Sequence, residues 1–384
     1  MNNTTPLLKN IAFGTLVALL PALAAATIIE QAREDAARQW IYHAPWFIVA
    51  WATLGIAALA YTTRVALYRR PVTFAFHVAL ALVLAGALVT HLAAERGHVH
   101  LHQGQHAGTF TGEDDGRALP LPFDVKLLLF DIEYNPATGL PADYHAFLQL
   151  DGHACRASMN APVARDAYRL YLHDHDHDEM GVTLLVNRDP WGVAITRLAY
   201  ILLGLSACLI AWQRAGKRAG RRRVLLALLP LAAAWTLVAL LDVQTPVLRT
   251  PWLAAHVSLI ACAYLGLLII ATLGLVALAR PRLSRRLYRH SRHLLLASVL
   301  LLAAGIFTGA AWADLSWGRY WGWDAKETWA LVTLLLYAIP LHRESLPLFR
   351  SPRAYHLYCT LALLAVLMTS IGVTFLLGGI HAYV

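Results

Sequence analysis

Apolar residues along this chain come in blocks of about 20, the length a helix needs to cross the hydrocarbon core of a bilayer. Most blocks are closed by a short polar loop, and the third by a much longer polar segment. The pattern predicts spans over residues 11–29, 46–67, 72–92, 193–212, 224–241, 252–279 and 294–311, a stretch ending at Leu341, and a last span over 357–377, about nine in all. The first block ends in Ala24-Ala25-Ala26, small residues of the kind found at cleavage sites. Its only leading charge is Lys9, so it is expected to stay as an anchor. The run 329–341 is too short to span alone, which predicts that its helix begins inside the tryptophan-rich segment before it or that the bilayer thins there.

Between the third and fourth blocks the period changes. Residues 123–134, 144–150, 168–172 and 181–187 are rich in β-branched and aromatic residues, and turn signals such as Asn135-Pro136 and Asp151-Gly152 separate them. The expected fold class is an all-α polytopic membrane protein of about nine transmembrane helices with a small β-rich extracytoplasmic domain. Four segments follow: helices one to three in 1–92, the β-rich domain in 93–192, a fourth helix with a basic linker in 193–223, and a membrane domain in 224–384.

Basic residues give the sidedness. Lys9, Arg64, Arg69, Arg70, Arg214, Lys217, Arg218, the run 221–223, six arginines between 280 and 292, and Arg343, Arg350 and Arg353 fall in one set of loops. The opposite short loops hold only Arg33, Arg38, Arg249, Arg319 and Lys326. The positive-inside rule makes the first set cytoplasmic. The N-terminus is then cytoplasmic, and the C-terminus and the β-rich domain face outward from a bacterial inner membrane.

Composition fits that reading. Hydrophobic residues make up 58% and charged residues 14% of the 384, with a mean hydropathy of +0.51. Soluble domains carry about a quarter charged residues, so this chain is built for contact with membrane lipid. The net charge of +9 lies in short loops between apolar runs, which points to the membrane rule and to no nucleic-acid partner. Cys155, Cys208, Cys262 and Cys359 are scattered, with no C-x-x-C pair, so the chain holds neither a disulfide framework nor a haem-attachment motif of its own.

Candidate chemistry gathers in WADLSWGRYWGWDAKETW, residues 312–329. Trp312, Trp317, Trp321, Trp323 and Trp329 lie there with Arg319, Tyr320, Asp324, Lys326 and Glu327. An interfacial aromatic belt would also collect tryptophan, but spread over many helices. Five indoles in 18 residues suit a platform for a large flat ring. Ionisable groups within membrane spans default to functional candidates. His77 and His342 fall toward the cytoplasmic side, His256 and His381 toward the outer side, and neutral imidazole is a standard axial ligand of haem iron. His98, His100, His102 and His106, and His173, His175 and His177 in HDHDHDE, are weaker candidates. Strand alternation would place the last three on one face, as a solvated edge or an adventitious metal site. His290, His293 and His356 are expected to be ordinary loop residues, and His91 stays open.

The WGRYWGWDAKETW segment resembles the WWD signature of haem-handling membrane proteins. TPVLRTPWLAAHV before it, LLLYAIPLH after it and GVTFLLGGIHAYV at the C-terminus resemble the CcsA (ResC) half of the system II cytochrome c synthase. FHVALALVLAGALVTH, LPFDVKLLLFDIEYNPATGLPADY, RASMNAP and LLVNRDPWG resemble the CcsB (ResB) half. Ala325, Leu334 and Pro340 depart from that family's usual Pro, Trp and Tyr. The resemblance implies a compact CcsBA-type fusion that carries haem b outward and attaches it through thioether bonds to the C-x-x-C-H motif of apocytochrome c. It matches His256 and His381 to outer haem ligands, and His77 and His342 to the membrane histidines of haem entry. Trp312, Trp317, Trp321, Trp323 and Trp329 become the haem platform, Arg319 or Lys326 the propionate partners, and Asp324 a further site residue. A thiol-disulfide reductase of the thioredoxin type is the implied supplier of reduced substrate thiols. A haem exporter without ligation activity and a b-type electron-transfer cytochrome remain the alternatives.

Overall fold

The computed structural model of the chain describes residues 4–113, 115–215 and 250–377. In chain order its long helices are α1 (Thr4–Ala32), α2 (Pro45–Arg64), α3 (Pro71–Ala93), α4 (Gly192–Ala215), α5 (Pro251–Ala279) and α6 (Pro281–Trp317). The shorter α7 (Ala325–Ala338) follows, and then α8 (Pro352–Leu361), whose axis continues helically to Leu377. Proline opens α2, α3, α5, α6 and α8, where its missing N–H falls among donors that have no intrahelical partner anyway.

Among the described residues, seven helices are long and apolar enough to cross a membrane. Of the nine expected spans, 224–241 lies outside the described residues. The stretch ending at Leu341 is α7, 14 residues long, followed by a single 3₁₀ turn from Ile339 to His342. That helix does begin inside the tryptophan-rich segment. The outside of the bundle is apolar, with Ile56, Leu198, Ile201, Leu364 and Phe375 all exposed, a surface matched to hydrocarbon rather than water.

Two clusters hold the helices. The antiparallel pair α5 and α6 buries Leu267, Ile270, Leu295, Leu302 and Ile306 with Tyr337 of α7 and Tyr355 of α8. Leu19 and Leu23 of α1 pack with Phe47 of α2 and Val332 of α7, so the first helices and the late ones share a core. At 37 residues, α6 extends well beyond a bilayer's thickness, and the six arginines expected in a loop lie at its start and just before it. His290 and His293 are therefore helical rather than loop residues. His356 is corrected too: it is fully buried, with Nε2 3.2 Å from the Ser284 carbonyl.

Between α3 and α4 stands an eight-stranded antiparallel sheet of order β5-β4-β3-β2-β1-β8-β7-β6. Its strands are β1 (Glu95–His102), β2 (His106–Gly112), β3 (Ala118–Tyr134), β4 (Pro141–Leu150), β5 (His153–Ser158), β6 (Val163–Arg165), β7 (Tyr168–His175) and β8 (Gly181–Arg188). Val99, Leu101, Val125, Leu127, Leu148, Leu170, Leu184 and Val186 form its core. Four strands escaped the sequence reading. The most consequential is β1, whose non-core face is histidine at every second position. The expectation that His173, His175 and His177 share a face fails: the register shifts between Leu172 and Asp174, β7 ends at His175, and His177 falls beyond the strand.

Candidate functional site

The tryptophan-rich segment is a tight loop between two helix ends. Gly318, at φ 72°, closes α6 in the left-handed conformation that glycine adopts at least cost. A Cβ there would also lie 2.8 Å from the Tyr171 ring, so the position needs glycine twice over. Asp324 caps α7 by accepting from the Lys326 N–H at 2.8 Å, and the Glu327 carboxylate reaches back to accept from the Gly322 N–H at 2.8 Å. That reciprocity resembles a capping box, so two acidic residues of the motif serve to start the helix.

The indoles do not form one open platform. Trp323 stacks on Tyr42 with ring centroids 4.8 Å apart and 13° between planes, and meets Phe47 edge-on at 5.2 Å. Its backbone sits at φ 59°, a strained region for a bulky residue, held there by rings from the start of the chain. Trp329 donates its indole N–H to Thr27 Oγ1 at 3.1 Å. Trp312 is buried against Trp317 at 5.1 Å, and Trp321 lies edge-on to Trp323 at 5.9 Å. Lys326 Nζ donates to Thr374 Oγ1 at 3.3 Å, and the Arg319 guanidinium folds over Gly322, 3.3 Å from where a Cβ would stand.

Three of the four candidate histidines lie in the described residues; His381 lies outside them. His77, near the start of α3, and His342, after α7, bring their rings to 6.0 Å with planes 84° apart, at the end of the bundle away from the sheet. Each Nδ1 lies beside a backbone carbonyl one turn back, Thr73 at 2.8 Å and Ala338 at 2.9 Å. His256, one turn into α5, does the same across helices to the Gly305 carbonyl at 2.7 Å, with Gly309 leaving room for its ring. A carbonyl can only accept, so each of the three rings donates from Nδ1, and in the neutral form of such a ring the lone pair sits on Nε2. His91, left open by the sequence, faces His43 at 5.8 Å.

The sheet sits on the tip of α6 through contacts the sequence reading missed. Asp314, buried in the last turn of α6, takes Arg169 Nη1 of β7 at 2.9 Å and Arg197 Nη2 of α4 at 3.5 Å. An acidic group at a helix C-terminus is unfavourable unless cations answer it, which is the signal that could have revealed the seam. Asn187 donates to the Gly318 carbonyl, and Ser316 to Asn160 Oδ1 at 2.7 Å. Register aligns Arg96, Asn187 and Arg169 as one row across β1, β8 and β7, facing this tip. Burial pulls the Arg96 pKa down, countered in part by Glu113. Burial also acts to lower that of Arg169, but the bond from Asp314 outweighs it and holds the group above its ordinary value. Arg96 Nε, Arg169 Nη2, Tyr171 OH and the Trp312 and Trp321 indole nitrogens are buried with no hydrogen-bond partner among the described residues. Asn187 Oδ1 and Asp314 Oδ1 are buried acceptors without a partner there as well, so unpartnered donors outnumber unpartnered acceptors, a balance that favours an acceptor-only group such as a carboxylate.

Comparison with known proteins matches both halves. Residues 191–381 match the cytochrome c assembly protein family, and residues 66–197 the ResB-like family. Protein NrfI of Wolinella succinogenes is 40% identical over a region covering 36% of this chain and 16% of NrfI. The cytochrome c biogenesis protein CcsA of Prochlorococcus marinus is 32% identical, over 36% of this chain and 55% of that protein. CcsA of Cyanophora paradoxa is 40% identical over 27% and 31%. The chain spans about half the length of the cyanobacterial CcsA proteins and a sixth of NrfI. A ResB-like half and a cytochrome c assembly half follow one another in a single polypeptide of membrane helices, and the chain belongs to the system II, CcsBA-type family of cytochrome c biogenesis proteins.

Proposed function

We propose that this protein takes haem b from the cytoplasmic side of a bacterial inner membrane, passes it outward and attaches it to the C-x-x-C-H motif of apocytochrome c. The observation that carries this reading is the meeting of His77, from the ResB-like half, with His342, from the assembly half. Their ring centroids lie 6.0 Å apart, and imidazole is a standard axial ligand of haem iron, so the two halves together would supply the ligands for one entering haem. Both rings have the tautomer that offers Nε2.

His256 is the corresponding ligand near the sheet end, with His381 as its partner. Trp317 and Trp321 border the haem there, while Trp323 and Trp329 fix the loop to α1 and α2. Arg319, with Arg96 and Arg169 nearby, receives the haem propionates; Lys326 is the second cation of the loop. Attachment adds each substrate S–H across a haem vinyl group: sulfur bonds one carbon and the proton goes to the other, so no external oxidant is consumed. Holding vinyl and thiol in contact is the protein's contribution, and such orientation supplies several kcal/mol. The thiols must arrive reduced, the task of a thioredoxin-type reductase.

The test is expression beside a C-x-x-C-H reporter in bacteria lacking their own maturation system. Covalent haem on the reporter, lost with His256→Ala, is the expected result. Haem that co-purifies with the protein while the reporter stays bare would mark an exporter without ligation activity. A colourless protein under ample haem would sink the reading.

A further inference from the structure

Farther along the outer face of β1 that carries Arg96, away from the tryptophan loop, three side chains converge. His100 Nε2 and His102 Nδ1, both from β1, lie 3.4 Å and 3.5 Å from a single oxygen, Oδ2 of Asp176, in the turn between β7 and β8. The three ligand atoms all fall within 4.8 Å of one another. Hydrogen bonds between nitrogen and oxygen run about 2.7–3.2 Å, so both separations are long for that role. They agree instead with the edge of a tetrahedron, about 3.3 Å, around an ion bonded at about 2.05 Å to each donor.

The surroundings fix this arrangement. His100 Nδ1 is 3.2 Å from Thr183 Oγ1, which turns Nε2 toward the carboxylate, as outer partners of metal-bound histidines do. The turn bearing Asp176 is pinned by its N–H to the Gly181 carbonyl at 3.0 Å and by its own carbonyl, which accepts from the Glu179 N–H at 3.0 Å. Gly181 stands opposite His102 in the ladder, and a Cβ there would fall 2.0 Å from Asp176 Oδ2 and 3.0 Å from His102 Nδ1. The absent side chain makes the space the carboxylate occupies. All three groups are partly open to solvent, at 43%, 49% and 31% exposure, so an ion can enter.

We propose that His100, His102 and Asp176 form a site for one divalent transition-metal ion, with zinc as the best match to two imidazoles, a carboxylate and one open tetrahedral position. The ion ties β1, which continues from α3, to the turn that leads through β8 into α4, and so clamps the strands that rest on the tryptophan loop.

The test uses the full chain in detergent, purified through a histidine-free tag, stripped with chelator and titrated with Co²⁺. One equivalent with the intense visible bands of four-coordinate cobalt, displaced by Zn²⁺, is expected. His100→Gln, His102→Gln and Asp176→Asn should each weaken binding at least tenfold with an unchanged far-ultraviolet circular dichroism spectrum. Should one substitution unfold the sheet, the other two carry the test. Absence of saturable binding, a weak six-coordinate spectrum, or binding that survives all the folded variants would mean an adventitious ion only and would overturn the proposal.

Discussion

Asp314→Asn tests the seam between the sheet and the helices. The Asp314 side chain is 3% exposed and its partner Arg169 14%, with 2.9 Å between Oδ2 and Nη1. Removing one member of a buried pair leaves the other charge desolvated, at about 3–5 kcal/mol. Asparagine keeps the shape and one acceptor, which sets the expectation near the lower end, about 3 kcal/mol. Arg197 is 55% exposed and 3.5 Å away, so its share is screened and adds little. Replacing both partners with apolar side chains, Arg169→Met with Asp314→Leu, leaves no orphaned charge and should cost far less than the two single changes together. A coupling of about 2–3 kcal/mol in that double-mutant cycle is expected. Amide hydrogen exchange reads it locally: β7 should open about a hundredfold more often in Asp314→Asn, since about 1.4 kcal/mol is a factor of ten. A coupling below about 0.5 kcal/mol, or exchange in β7 indistinguishable from the parent, would refute the assignment of Asp314 as the anchor.

Other positions make equally definite predictions. Gly309→Ala places a methyl 2.5 Å from His256 Nδ1, so it should displace that ring from the Gly305 carbonyl and lower haem occupancy, read from the Soret absorbance, with little change at His77 and His342. Asp324→Asn preserves a good helix cap and should retain reporter maturation, whereas Asp324→Ala should cost about 1 kcal/mol in thermal stability; loss of maturation in the Asn variant would give the carboxylate a chemical role instead. Burial, with His98 beside it, holds the His173 pKa below its ordinary 6.5. Below that value the unfolded chain binds the extra proton first, so the sheet should lose stability as pH falls through about 6.5, and His173→Gln should flatten that part of the profile.

The helices were legible because apolar block length is dictated by the bilayer, and the start of α7 within the tryptophan-rich segment followed from the shortness of 329–341. The meeting of His77 with His342 was implied by their common depth. Strands β1 and β2 were not legible, since histidines fill the outer positions of β1 and glycines interrupt both strands. The bulge after Leu172 overrode simple alternation and sent the HDHDHDE histidines in different directions. Asp324 was singled out by its neighbours, and the structure adds a helix-capping bond to the Lys326 N–H that the sequence reading did not foresee. Nothing in sequence spacing connects Asp314 with Arg169, 145 positions apart; only the register of three strands brings them together.

Trp323 has a last implication. Its unfavourable backbone angle is sustained by Tyr42, just before the second helix, and Phe47, in that helix's first turn. The hairpin bearing the signature motif therefore borrows its shape from residues at the start of the chain. A substitution at either ring, some 280 positions upstream, would therefore be felt as a change in the shape of the motif itself.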